Sequence, residues 1–136
     1  MKLQKLHHIA IAVKDIEAAL GDFVDVLGLP RTEVVFVEAQ QVKATLIPVG
    51  DAEIELIEPT DPNGGVAKFL ARRGEGMHHI CFQVEDVDHE LSDLGERGLQ
   101  MIDQKSRPGL AGMVGFIHPK ATKGVLTELC TPIREA

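Results

Sequence analysis

The stretch His7-His8-Ile9-Ala10-Ile11-Ala12-Val13 returns 71 positions later as His78-His79-Ile80-Cys81-Phe82-Gln83-Val84. At the same offset Asp15 matches Asp86, Leu20 matches Leu91 and Asp22 matches Asp93, while Gly28-Leu29 returns as Gly98-Leu99. Downstream, Pro48 matches Pro119, Glu55-Leu56 matches Glu128-Leu129 and Pro59 matches Pro132. A drift of a few residues needs only small loop insertions. The chain is therefore read as two related modules, roughly residues 5–60 and 76–133, joined by a linker and short helix over about 60–75. Together they make one expected domain over residues 1–136.

Each module carries the same order of signals. Leu6–Val13 is a β-branched and apolar run, hence a strand. Asp15 can cap a helix over about Ile16–Leu27, which Gly28 ends. Strand-like runs follow at Glu33–Glu38, Val42–Val49 and Ala52–Glu58, with Gly50-Asp51 turning the last two into a hairpin. The second module gives a strand at His78–Val84 and a helix near Val87–Arg97. Strands are then expected near Gln100–Asp103, Met113–His118 and Gly124–Thr131, and a short helix at Val66–Arg72 in the linker. The order βαβββ, twice, predicts an α+β fold of curled mixed sheets, helices outside, around a cavity.

Strand alternation decides which residues line that cavity. Ile9, Ile11 and Val13 share the helix-facing side of the first strand, which leaves His8 with Ala10 and Ala12 on the other. In the second module Ile80, Phe82 and Val84 face the helix, and His79, Cys81 and Gln83 face away. Glu53, Glu55 and Ile57 share one face of their strand, and Leu126, Glu128 and Cys130 share one face of theirs. A carboxylate inside an apolar strand is costly to bury unpaired. A single strand histidine is ordinarily a satisfied core residue, and a single strand glutamate a solvated one. Four such residues at repeat-equivalent positions favour a shared role: His8, Glu55, His79 and Glu128 as ligands of one divalent metal ion. An N2O2 donor set suits Co, Zn, Mn or Ni, or Fe(II), with open positions in a six-coordinate ion. His7 and His78 point the other way and are read as structural or as supports of the neighbouring ligands. His89 falls on a helix surface, and His118 ends a strand near the cavity mouth.

Composition excludes several classes. The 136 residues carry 14 basic and 21 acidic side chains, for a net charge of −7, which disfavours a nucleic-acid partner. With no Trp or Tyr, base-stacking platforms are lacking as well. No apolar run approaches a membrane span, and Met1–Leu6 leads into a strand rather than a signal peptide, so a cytoplasmic protein is expected. Cys81 and Cys130 belong to no CxxC motif and are read as free thiols.

With these features assembled, the chain resembles the vicinal oxygen chelate superfamily (glyoxalases, bleomycin resistance proteins and dioxygenases). Within it, the resemblance is closer to the methylmalonyl-CoA epimerases. It rests on Gly76-Met77-His78-His79-Ile80-Cys81 and on His118-Pro119-Lys120 with Gly124-Val125-Leu126, and covers nearly the whole chain. The resemblance places the family's metal positions on His8, Glu55, His79 and Glu128. It implies epimerisation of (2R)- and (2S)-methylmalonyl-CoA by removal and return of the α-proton through a metal-stabilised enediolate. It also implies an acyl-CoA substrate and a homodimer. Glu128 is then a partner in proton exchange as well as a ligand. The family's second catalytic Glu precedes a Gln-Gly-Val turn, whereas this chain reads Val37-Glu38-Ala39-Gln40-Gln41-Val42. Alignment puts Ala39 at that place, so Glu38, one residue away, is the candidate base. Lys120, Lys123, Arg72 and Arg107 are cations available to CoA phosphates, none singled out by the sequence. A glyoxalase I-like isomerase, an Fe(II) dioxygenase or a non-catalytic binding protein are the competing readings.

Overall fold

The computed structural model describes residues 3–133. The chain divides into two compact units, one formed by His8–His78, the other by the chain from His79 onward with the segment before His8.

In the first unit, strand β1 (Lys5–Ala12) contributes its residues from His8. Helix α1 (Ile16–Leu20) follows, started by Asp15, whose carboxylate accepts from the N–H groups of Glu17 and Ala18 at 3.0 and 3.2 Å. The helix expected to run on to Leu27 instead widens into a π-helical turn over Gly21–Val26, with the Leu27 N–H donating to the Asp22 carbonyl at 3.0 Å. Gly21, which has weak preference for a helix interior, opens that turn. Strands β2 (Val35–Val37), β3 (Val42–Val49) and β4 (Ala52–Pro59) complete the module, followed by helix α2 (Gly65–Arg73). The order across the sheet is β2-β3-β4-β1, with β1 parallel to β4 and the other pairs antiparallel.

The second unit repeats the plan. Strand β5 (Gly76–Gln83) leads to helix α3 (Val87–Glu96), capped by Asp86, which accepts from the His89 N–H. Strands β6 (Arg107–Gly109), β7 (Gly112–Ile117) and β8 (Thr127–Thr131) follow in the spatial order β5-β8-β7-β6. Again the first and last strands are parallel and the rest antiparallel.

Each unit has its own core on the helix side of its sheet. Ile16 and Leu20 pack with Ile47 and Leu56, and Val87, Leu91 and Leu94 pack with Ile117 and Leu129. Leu56 and Leu129 each follow a proposed ligand and are almost wholly buried. Burying such a side chain contributes about 1.5–3 kcal/mol, so the strand's alternation is anchored from the opposite face. Gly115 lets α3 approach, since a Cβ there would lie 2.6 Å from Leu91 Cδ1.

Three expected strands are corrected. Gln100–Asp103 is no strand; only a single bridge joins Met101 to Ile117. The Asp103 carboxylate takes the Phe116 N–H at 2.9 Å, a side-chain bond that replaces a ladder bond. The edge strand lies later, at Arg107–Gly109. The run from Gly124 becomes a strand only at Thr127, because Lys123 and Gly124 have positive φ and the Thr122 and Thr127 hydroxyls both donate to the Val125 carbonyl. Glu33–Glu38 shortens to Val35–Val37, and Glu38 enters a 3-10 turn.

Candidate metal and acid–base site

Within the first unit, His8 and Glu55 come from the parallel neighbours β1 and β4. The register pairs Ala10 with Glu55, so His8 stands one same-face step before the carboxylate's partner. His8 Nε2 lies 3.5 Å from Glu55 Oε1, and both side chains are buried. Within the second unit, β5 and β8 pair Cys81 with Glu128, which puts His79 in the equivalent place. His79 Nε2 lies 3.4 Å from Glu128 Oε1, both again buried.

The donor chemistry of each pair fits a divalent ion. A neutral imidazole and a carboxylate are both good ligands, and two donors about 2.1 Å from one ion at near right angles stand about 3 Å apart. The observed separations lie close to that and beyond the usual hydrogen-bond length. Glu53, the register partner of His8, adds a carboxylate whose Oε2 is buried with no hydrogen-bond partner. That further negative charge favours a cation on the same strand face.

The surroundings hold His79 firmly. The Phe116 ring meets its imidazole edge-on, with centroids 5.4 Å apart at 90°. Cys81 is buried; loss of solvent pushes its thiol far up, helped by contact with Cys130 and the charge of Glu128. It therefore stays a neutral thiol. Cys81 and Cys130 are free thiols, as expected, and their Sγ atoms and a ring nitrogen of His7 lie within 4.8 Å of one another, all buried. Only the shared face of Cys81 and Cys130 in their respective strands hinted at this.

Glu38 is exposed and begins the 3-10 turn Glu38–Gln40. Because this is a turn, strand alternation does not dictate the direction of its side chain. Gln41 closes the turn in the left-handed region at φ 55°, donating its N–H to the Glu38 carbonyl and its side-chain amide to Asp61 at 3.1 Å. The other histidines have structural partners or solvent. His78 packs edge-on against Phe69, and His118 Nδ1 accepts from the Lys120 N–H at 3.0 Å, capping the turn Pro119–Thr122. His89 is exposed on α3.

Comparison with known proteins identifies the family of the chain. The profile of the glyoxalase/bleomycin resistance protein/dioxygenase superfamily matches residues 7–116, and the chain belongs to that family. The chain is 34% identical to the mitochondrial methylmalonyl-CoA epimerase of Mus musculus over 94% of its own length and 73% of that protein's. It is also 34% identical to the ethylmalonyl-CoA/methylmalonyl-CoA epimerase of Cereibacter sphaeroides, over 92% and 96% of the two chains. A solved methylmalonyl-CoA epimerase in complex with methylmalonyl-CoA and ammonium superposes with a TM-score of 0.90 at 33% identity, over 96% of each chain. Among the described residues, no helix is long and apolar enough to cross a membrane.

Proposed function

We propose that the chain is a methylmalonyl-CoA epimerase, a single-domain enzyme that interconverts the (2R) and (2S) thioesters by proton exchange at the α-carbon. The observation that carries this reading is the pair of buried His–Glu contacts, His8–Glu55 and His79–Glu128, at repeat-equivalent positions of the two modules. Relatives named as epimerases of this substrate support it.

In this reading the four side chains hold one divalent ion (Co, Zn, Mn or Ni), which supplies Lewis-acid stabilisation of the charge that develops on the thioester oxygen. The chain's own residues move the proton. Glu38 takes it from one face of the α-carbon as general base, and Glu128 returns one on the other as general acid. Glu128 is buried and is reset for the next turnover by taking a proton back, or by acting as the base in the reverse direction, where the two roles exchange. Glu38, on a solvated turn, exchanges its own with solvent between turnovers. The reading is completed by a homodimeric assembly and a cytoplasmic location, with exposed Val26, Leu27 and Phe36 as apolar surface available to a second copy.

Proton NMR of metal-loaded protein with methylmalonyl-CoA in D2O tests the function. Metal-dependent loss of the α-proton signal with racemisation is the expected result. Retention of that signal by protein that still holds its metal would overturn it.

A further inference from the structure

Arg107 opens the edge strand β6, and its guanidinium carbon lies 5.6 Å from the centre of the Phe116 ring. That distance is within reach of a cation–π contact. The same ring meets the His79 imidazole edge-on. Phe116 therefore links a proposed metal ligand to a cation three strands away from that ligand in the sheet. We propose that Arg107 binds an anionic group of the acyl-CoA substrate, either the acyl carboxylate or a CoA phosphate. This rests on the epimerase reading above.

A guanidinium has five N–H donors in a plane, and a cation–π contact with an aromatic ring uses none of them as a conventional hydrogen bond. The Nε is buried and donates no hydrogen bond. The nearest carboxylate oxygen, Asp103 Oδ2, stands 3.7 Å from it, too far for one. That oxygen is engaged elsewhere, accepting the Phe116 N–H at 2.9 Å. Asp103 thus fixes the strand beneath the ring and orients Arg107 without saturating it.

The backbone is held as well. Ser106, the preceding residue, donates its N–H and its hydroxyl to the two oxygens of Asp88 at 2.7 and 2.9 Å. Arg107 is thus tethered through its neighbour and placed over the Phe116 ring, while its side chain remains 40% exposed. Much of the freedom a long cationic side chain loses on binding is already given up. In a chain of net charge −7, an anionic substrate needs such a local cation. The planar fork matches the two oxygens of a carboxylate or phosphate.

The test uses metal-loaded, full-length wild type, Arg107→Ala and Arg107→Lys. Rates of α-proton exchange are measured with methylmalonyl-CoA and with methylmalonyl-pantetheine, which lacks the phosphates. Loss of charge-assisted hydrogen bonds predicts about a tenfold or greater rise in KM for Arg107→Ala with methylmalonyl-CoA, a smaller change in kcat, and unaltered metal content. Arg107→Lys, which keeps the charge but not the fork, recovers only part of the loss. A penalty confined to the CoA thioester identifies a phosphate as the bound anion; one shared by both substrates identifies the carboxylate. Unchanged kinetics with both overturns the proposal. If the wild type exchanges no proton, the epimerase reading fails on its own. Equilibrium dialysis of methylmalonyl-CoA then decides for Arg107: about tenfold weaker binding by Arg107→Ala upholds the anion site, and equal binding rejects it.

Discussion

His79 Nε2 and Glu128 Oε1 stand 3.4 Å apart although 49 residues separate them in sequence, because parallel strands β5 and β8 set Cys81 opposite Glu128. His8 and Glu55 reproduce the arrangement at 3.5 Å. If all four serve one ion, removing either imidazole must weaken binding, whichever module it comes from. His8→Ala and His79→Ala should each fall from about one metal per chain to well below half after dialysis against a weak chelator, measured by elemental analysis. Full retention of metal by either variant would sink the shared-ion reading.

Glu38 should separate chemistry from metal binding. It lies on a solvated turn and is not among the proposed ligands. Glu38→Gln is expected to lower the exchange rate by about 10²–10⁴, the usual contribution of a general base, with metal content and thermal midpoint unchanged. Near-normal exchange would move the search for the base elsewhere and leave the ligand set standing.

Gly115 sets the spacing of a helix and a sheet. Gly115→Ala forces a methyl group to within 2.6 Å of Leu91 Cδ1 and should cost about 1–3 kcal/mol in stability, read from urea denaturation. Leu91→Ala alone leaves a cavity and should cost about 2–5 kcal/mol. The double variant should cost less than the two added together, since each change supplies the room or volume the other lacks. Strict additivity would show that the close approach is not the source of the penalty.

The tie between Asp88 and Ser106 gives a pH dependence of known sign. The Ser106 N–H, then its hydroxyl, hold the Asp88 carboxyl below its usual value, against the opposing effect of burial and with a lesser contribution from the charge of Lys105. A group with a lower pKa in the folded state stabilises that state above the unfolded value, around 3.9 for Asp, and loses this as pH falls through the folded value. The Ser106 amide resonance should therefore titrate with a midpoint below the ordinary aspartate range, and Asp88→Asn should abolish the transition. A midpoint at or above about 4 would contradict the assignment.

Most of the architecture is legible in the sequence because the repeat reads every signal twice. Asp15 and Asp86 mark both helix starts, and Gly28 and Gly98, with φ of 83° and 90°, mark the turns after them. The His–Glu pairing within each module follows from strand alternation once β1 and β4, or β5 and β8, are taken as neighbours. What escaped has local causes. Alternation cannot foresee that the Asp103 side chain would take a ladder N–H, or that two threonines would claim the Val125 carbonyl. The π-helical turn at Gly21–Val26 changes only the winding of a segment already expected to be helical. The setting of Arg107 depends on a ring, a carboxylate and a serine from three places, which no spacing rule connects.

The two helix caps have a wider consequence. Asp15 adopts φ −142° and ψ 108°, and Asp86 adopts φ −141° and ψ 103°, although of the five residues that follow each only Leu20 and Leu91 are identical. A chain that states its plan twice supplies its own ruler: agreement between the copies marks what the scaffold requires, and disagreement marks what was later added to one copy. By that measure the turn Glu38–Gln40 belongs to one half alone, and so does the guanidinium of Arg107, since the matching edge strand of the first half reads Val35-Phe36-Val37. A symmetric protein built from two copies of one half would keep the caps, cores and His–Glu pairs, but it would lack either the proposed base or the proposed anion grip, according to the half chosen.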